Sequence, residues 1–570
     1  MTSACRQCSS AFEITQEDLK FYDDVSPVIC GKKHALPPPQ LCPDCRFQRR
    51  LSFRNERFLY HRKSDLTGKQ IVSMYAPDKP YKVYDQDEFW SDQWDECSYG
   101  RDFDFSKTFT EQFASLGRDA PHQALFTSNV ENSYYTNHTL NMRNCYLLFG
   151  GGDSQDCMFG RFIIYSQDTL DGLSLYSCRW CYEGIASQDC YHCLHFQNCR
   201  NCSDCLMVED CQGCKNCCLC FGLKGQEYCI LNERLGKEEY EKRMAELRPL
   251  TPEKIQSLRA RLTELKMRLP HRQSHIFGSE DCTGDMIFNS KNCKYSFDAT
   301  DCEDCKYLCY TPKGIHSYDC TYNAPVGVRW VCEAGSTVGM ENAFSTFLCW
   351  YGDNNYYSRE CHSCSNIFGC ISMRKKKYCI LNKQYTQEAY EELVPRIIEH
   401  MRKDGNGGAM NRGEASGSWG EHFHQSLSYM GYNETVAQEQ VPLTQQEAQK
   451  KGWSWYFGQE KKDAYLGPEV KVPAVIGEIP ETICDQILRC EVTGKPFKII
   501  PQELKFYRDM GIPLPRRCFD QRHLDRVALR SSRKLWKRNC MKCQKGIETT
   551  YQPSRPEIVY CENCYLKEVY

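Results

Sequence analysis

One spacing governs what this chain can become. Cys145, Cys157, Cys181, Cys193, Cys205, Cys217 and Cys229 fall on a single twelve-residue register, and Thr169 fills the one gap. A second column, Cys178, Cys190, Cys202 and Cys214, runs three residues earlier, and a third holds Cys199 and Cys211. A fixed short period marks a solenoid, because one repeat cannot bury its own apolar side. Twelve residues are too few for a helical hairpin. They suit a narrow β-coil, expected here as two short strands and two turns, stacked at ~4.8 Å so that equivalent side chains form ladders. Asp and Asn before the cysteines fit the turns, since they tolerate left-handed backbone and bond their own main chain.

The pattern recurs. Cys220 to Asn232 matches Cys370 to Asn382, so residues 274–382 are a second, more worn half, with Cys282, Cys293, Cys302, Cys305, Cys320, Cys332, Cys349, Cys361 and Cys364. The first half spans 131–232. A helical cap is expected after each, at 233–273 and 383–404, covering the open sheet edge. In the first cap Thr251 is the N-cap, Pro252 takes the first helical position, and Ile255, Leu258, Leu262 and Leu265 form one stripe. Thr386 opens the second. The repeat length resembles that of the cysteine-rich β-helices of some insect antifreeze proteins. The chain has no regular Thr-x-Thr row, so that activity is not expected.

Three uses of the column cysteines stand open: interior packing, a chain of metal or cluster sites, or disulfides across coils. The chain carries 40 Cys in 570 residues and begins without a basic segment leading into an apolar run. We therefore expect no signal peptide, a cytoplasmic location and reduced thiols. No run approaches ~18 apolar residues, so no membrane span is expected. Histidine is scarce in the columns, and several accept Ser or Thr, which are poor ligands for a soft metal. Packing is the favoured reading, since a free Cys behaves as a small hydrophobe.

The two ends are copies of one module, at 1–95 and 484–570. Ala11 to Tyr22 aligns with Pro496 to Tyr507, and Leu41 to Glu88 aligns without gaps onto Arg517 to Cys564. Cysteines sit at matched places and describe two sites of four thiols each. Cys5, Cys8, Cys42 and Cys45 form one in the first copy; its counterpart in the second copy is Cys490, Thr493, Cys518 and Gln521. Cys540, Cys543, Cys561 and Cys564 form the other, and its counterpart is Ser64, Thr67, Asp85 and Glu88. Paired CxxC knuckles suit structural zinc, so two zinc sites are expected. A third at Cys490 and Cys518 would need help from Cys484 or His523.

The stretch from Cys5 through Phe12, Phe21, Tyr22 and Pro39 to Cys42-Pro-Asp-Cys45-Arg46 resembles small bacterial zinc-ribbon or treble-clef modules. That resemblance implies one zinc on Cys5, Cys8, Cys42 and Cys45. The whole chain also resembles a poorly characterised cysteine-rich family of small uncultivated bacteria with zinc ribbons at both ends, a likeness that implies no activity.

Arg46, Arg50, Arg54 and Arg57 follow the second knuckle at helical spacing, and Arg522, Arg526, Arg530 and Arg533 are their counterparts. Either the rows pair with the module's own acids, such as Glu56, Asp520 or Asp525, or they read the phosphates of RNA or DNA. A net charge of −2 leaves room only for such local basic patches.

Residues 96–130 form an aromatic connector in which Phe103, Phe105, Phe109 and Phe113 make a docking surface, expected within the chain. Residues 405–418 read as a flexible linker and 419–483 as a second connector, with a helix capped by Thr444. Catalytic motifs are absent: no GxSxG, HExxH, P-loop or dinucleotide fingerprint occurs in context. The expectation is thus a mainly β, non-enzymatic, zinc-binding scaffold. Its partner would be RNA, DNA or protein, and no small-molecule substrate is indicated. Metal storage or thiol redox buffering by the column cysteines is the alternative.

Overall fold

The computed structural model describes residues 1–323, 326–406, 419–458, 467–468 and 470–569, with the backbone alone at 404–406. Among them the chain is mainly sheet, with twelve α-helices. It divides into two compact units: residues 1–125 with 275–456, and residues 126–274 with 457–570. Each unit therefore joins a terminal module to the cysteine-rich stack farther from it in sequence. The glycine-rich linker lies outside the described residues from position 407 on; Gly405 and Asn406 end the helix Gln387–Asn406.

The two modules share their main elements in the same order, and the first adds a hairpin, Val28–Ile29 with Lys32–Lys33, between its two helices. The first has the hairpin Thr2–Ala4 with Ala11–Glu13, the helices Gln16–Asp24 and Pro43–Leu51, and the hairpin Tyr60–Lys63 with Gln70–Ser73. The second has Leu488–Arg489 with Pro496–Phe497, the helices Pro501–Met510 and Phe519–Leu529, and Trp536–Asn539 with Gly546–Thr549. Local chemistry starts the first helix of each. Thr15 and Asp18 form a capping box in one copy, and Pro501 opens the helix in the other.

A closing strand in each module pairs in parallel with a histidine-bearing segment, Val83 with His122 and Val559 with His271. Both histidines bond through Nε2 to the carbonyl five residues earlier, Gly117 at 2.7 Å and Lys266 at 3.1 Å. The helices Phe109–Asp119 and Pro252–Lys266 thus hold equivalent places in the two units, a likeness their sequences conceal.

The stacks are parallel ladders with a step of twelve. In the second unit Leu140 pairs with Gly152, Leu173 with Ile185, Leu206 with Cys218 and Cys217 with Cys229. In the first unit Cys293 pairs with Cys305 and Ile367 with Cys379, while a step of fourteen joins Cys320 to Ala334. The expected turn of two strands and two bends is corrected. Positive φ recurs every third residue, as at Asn198, Asn201, Asp204, Met207 and Asp210, so each twelve-residue turn has four corners. Asn, Asp and Gly fill many corners because they reach left-handed backbone at least cost. Long strands such as Met158–Ile164 and Arg179–Gln188 pass a corner and pair on both sides of it. With Gly152–Gln155, Gln167–Leu170 and Leu173–Tyr176 they close a ring of five paired strands.

The residue after each corner points inward. Cys178, Cys181, Cys190, Cys193, Cys199, Cys202 and Cys205 all follow corners and share one buried cluster with Ile163, Leu175, Phe196 and Val208. Their thiols bond backbone carbonyls: Cys193 Sγ donates to Tyr191 O at 3.4 Å and lies 3.5 Å from Cys202 O. Ser187 Oγ and Thr169 Oγ1 donate to the same relative carbonyl, at 2.8 and 3.0 Å. That shared bond explains why the columns exchange Cys for Ser or Thr. All 40 cysteines are free of disulfides.

The helices Lys237–Leu247 and Gln387–Asn406 pack against the last parallel strand of their stacks, but the backbone of that strand is met by another element. That element is a reversed strand, Glu233–Arg234 on Cys229–Ile230 and Lys383–Gln384 on Cys379–Ile380. Beside it an asparagine amide imitates the missing coil. Asn232 accepts from Phe221 N at 2.9 Å and donates to Phe221 O at 2.8 Å; Asn382 does the same at Ile371, at 2.9 and 2.7 Å. The helix Pro252–Lys266, capped by Thr251, instead lies along the flank of its stack.

Candidate metal centres

Four knuckles, two per module, share one backbone turn. Ser9 N bonds Cys5 O at 2.8 Å, Gly68 N bonds Ser64 O at 2.9 Å, Gly494 N bonds Cys490 O at 2.9 Å and Gln544 N bonds Cys540 O at 2.9 Å. All four of those donors have positive φ, between 62° and 78°. The turn therefore belongs to the module, and only the side chains decide what it holds.

Two of the four hold complete thiol sets. The sulfurs of Cys5, Cys8, Cys42 and Cys45 all lie within 4.8 Å of one another, as do those of Cys540, Cys543, Cys561 and Cys564. Cys8 Sγ is 3.7 Å from Cys42 Sγ, and Cys543 Sγ is 3.7 Å from Cys561 Sγ. Four sulfurs bound at about 2.3 Å to a tetrahedral ion stand about 3.8 Å apart, so the donor set fits such an ion. In each group a backbone amide already points at a sulfur: Cys42 N to Cys5 Sγ and Cys561 N to Cys540 Sγ, both at 3.2 Å. Hydrogen bonding between Cys42 and Cys45 pulls the pair apart, bringing the Cys42 thiol down to about 5 and raising that of Cys45. Burial raises Cys540, but amides from Cys543, Cys561 and Lys542 win and bring it to about 6. Thiolates are the form a metal needs.

The third knuckle holds a carboxylate where the complete sets have thiols. Glu88 receives hydroxyl hydrogen bonds from Ser64 and Thr67, the two knuckle positions, and one from Asp85 N at 3.3 Å. Burial raises the Glu88 carboxyl, yet the two hydroxyls outweigh it and hold the group below its ordinary range. The fourth knuckle is half a site. Cys490 and Cys518 keep their places, with Thr493 Oγ1 3.8 Å from Cys518 Sγ, but Gln521 turns to Asp525 at 2.8 Å. Among the described residues no third cysteine, histidine or acid joins them, so neither Cys484 nor His523 completes the expected third centre.

The arginine rows meet acids, chiefly those of the stacks rather than Asp520 or Asp525 of the module itself. Arg46 Nε donates to Asp319 at 2.9 Å, and Arg50 Nη1 bonds Glu333 at 2.7 Å and meets Asp319 at 3.0 Å. Arg54 bonds Glu56 at 2.5 Å and the Ser336 hydroxyl, and Arg57 bonds Glu439 at 3.0 Å. In the other unit Arg522 and Arg526 grip the two oxygens of Asp171, each at 2.8 Å. Arg530 and Arg533 are half-buried. These side chains fasten each module to its stack. Arg46, Arg50, Arg522 and Arg526 are buried and direct donors at these acids.

The lock is the same device twice. Counting back in steps from the matched pair Cys220 and Cys370 places Asp171 opposite Asp319 and Glu183 opposite Glu333. The acids were invisible as partners in the sequence because 148 residues, not 150, separate the first pair; the step of fourteen intervenes. The connector phenylalanines dock within their own unit, as expected, with Phe109 5.7 Å from Phe368 and Phe113 stacked 4.9 Å from Phe423.

Comparison with known proteins adds little. No family model and no curated protein matches the chain. Among solved structures, a provisionally assigned acetyltransferase from Desulfovibrio desulfuricans G20 is 10% identical over 46% of this chain and 68% of that one, with a TM-score of 0.09. A likeness that weak carries no argument. The resemblance to a bacterial cysteine-rich family gains no support from these comparisons, and the two four-cysteine groups are what is compatible with zinc modules.

Proposed function

We propose that the protein is a non-enzymatic, zinc-stabilised scaffold that binds a polypeptide partner. In this reading two divergent zinc-ribbon modules each clamp one half of a cysteine-rich β-solenoid. The observation that carries it is the pair of four-thiol groups, in which every donor comes from the protein and no position is left for a substrate. The column cysteines favour packing over metal storage or redox buffering, since their thiols bond backbone carbonyls inside the stack. Free thiols suit a reducing compartment such as the cytoplasm. Among the described residues no helix is long and apolar enough to cross a membrane. The buried arginines favour a clamp over a phosphate reader, so a protein partner is preferred to RNA or DNA.

Elemental analysis of protein purified under reducing conditions, with a thiol count on the same sample, tests the reading. Two zinc ions per chain with the column thiols free is the expected result. Many more ions, or iron or copper in place of zinc, would overturn it.

A further inference from the structure

The two units differ at one place that their shared design makes easy to locate. In the first unit the chain's own segment from Trp419 to Leu427 fills a groove between the stack, the helix Phe109–Asp119 and the end of the arginine helix. Glu421 is held by Arg6 at 2.7 Å and Arg49 at 3.3 Å. His422 meets Ser345 Oγ at 3.2 Å, Phe423 stacks on Phe113 at 4.9 Å, and the Leu427 carbonyl accepts from Arg359 at 3.1 Å. Phe53 lies under this segment and is only 2% exposed.

In the second unit the same walls stand open among the described residues. Two adjoining clefts of about 320 and 290 Å³ lie between the stack, the helix Pro252–Lys266 and the helix Phe519–Leu529. Both are lined by His195, the counterpart of Ser345, and by Leu529, the counterpart of Phe53. Leu529 is 59% exposed. His195 has its Nδ1 2.7 Å from Glu183, while its Nε2 is buried without a hydrogen-bond partner. Its side chain is 5% exposed.

The walls also state what would fit. The three arginines that hold the segment in the first unit, Arg6, Arg49 and Arg359, are replaced by Glu491, Asp525 and Glu209. The aromatic floor changes too, with Leu262 where Phe113 stands and Leu529 for Phe53. At present Glu491 and Asp525 share Arg517, at 2.8 and 2.7 Å, in pairs that are more than a third exposed. Exposed pairs contribute little, so an incoming cation can replace that partner at little cost.

We propose that this open groove docks an extended segment of a partner polypeptide, with a basic residue where the first unit uses Glu421 and an aliphatic one where it uses Phe423. The buried Nε2 of His195 takes a hydrogen bond from the docked segment, as Ser345 pairs with His422. This assignment rests on the scaffold reading and names the chemistry of its partner.

The probe is a labelled nine-residue peptide with the sequence of residues 419–427 carrying Glu421→Lys and Phe423→Leu, titrated into the full zinc-loaded chain beside the unsubstituted peptide. The substituted peptide is expected to bind at least tenfold more tightly. Combining Glu491→Arg with Asp525→Arg should reverse that preference, and Leu529→Asp, an exposed site safe for folding, should abolish binding of both peptides. Equal binding of the two, binding of neither, or a preference unmoved by these substitutions would overturn the proposal. Metal content on the same sample separates the two failures. Two ions per chain without peptide preference sinks the groove alone, whereas a different count sinks the scaffold reading.

Discussion

The two units are built on one plan and have worn differently. In the first, Arg46 and Arg50 face two buried acids, Asp319 and Glu333, and the four charges form a closed network. In the second, Arg522 and Arg526 share Asp171, while Glu183 has turned to His195 and Arg259. Metal centres follow the same logic. Each module keeps one complete thiol set and fills the other knuckle with what is at hand, a carboxylate in one and an uncompleted pair in the other. Duplication preserves backbone turns longer than ligands, because the turn is needed for packing whether or not it holds an ion.

The sharpest test of that comparison is to rebuild a lost centre. Replacing Thr493 and Gln521 with Cys restores four thiols on a turn that already has the right backbone. Metal content should then rise from two to three ions per chain, and unfolding of the second unit should become chelator-sensitive at a second step. A count that stays at two would mean that the knuckle has drifted and that backbone likeness does not suffice.

The locks should break unequally. Removing Arg50 by Arg50→Met leaves Asp319 with Arg46 alone and Glu333 without its closest cation, and breaking a buried pair this way costs about 3–5 kcal/mol. Arg526→Met leaves Asp171 still gripped by Arg522, so the loss should be nearer about 1–3 kcal/mol. Hydrogen exchange, read separately for residues 318–335 and 159–173, would report each unit on its own. Equal losses would refute the difference between a closed network and a shared acid.

A further expected effect concerns acid. Burial lifts Glu503 to about 7, against the pull of Arg522. A carboxyl raised on folding contributes stability that is complete below its unfolded value near 4.5 and is lost as pH climbs through about 7. Wild type should therefore lose stability between pH 4.5 and 7 relative to Glu503→Gln, with a slope difference no steeper than about 1.4 kcal/mol per pH unit. Its counterpart Asp18 is paired with Lys306 at 2.7 Å. A slope that Glu503→Gln leaves unchanged would show that this group carries no proton linkage.

Much of this was legible beforehand, for local reasons. The twelve-residue period, the CxxC knuckles and the caps at Thr251, Thr386 and Thr444 depend on residues close together in the chain, and the duplication shows as matched spacing in the two copies. The inner period of three was also present in the spacings Cys178, Cys181, Cys190, Cys193, Cys199, Cys202 and Cys205. The corners disguise it, because they accept Tyr, Leu and Met as well as Asn and Asp. Four corners rather than two bends follow from that period alone.

What the chain could not declare by itself is which module meets which stack. The arginine rows look the same whether they face solvent, a nucleic acid or a buried acid, since an arginine's spacing on a helix says nothing of its partner. Asp319 lies 273 residues from Arg46, and Asp171 lies 351 residues from Arg522. Only the tertiary structure brings these together, because burial is what makes a charge choose one partner. Sequence determined the repeat, the knuckles and their thiols, all written in short-range spacing. Packing decided the rest: that the arginines are fasteners, that one groove is filled by the chain's own segment, and that among the described residues its counterpart stands open.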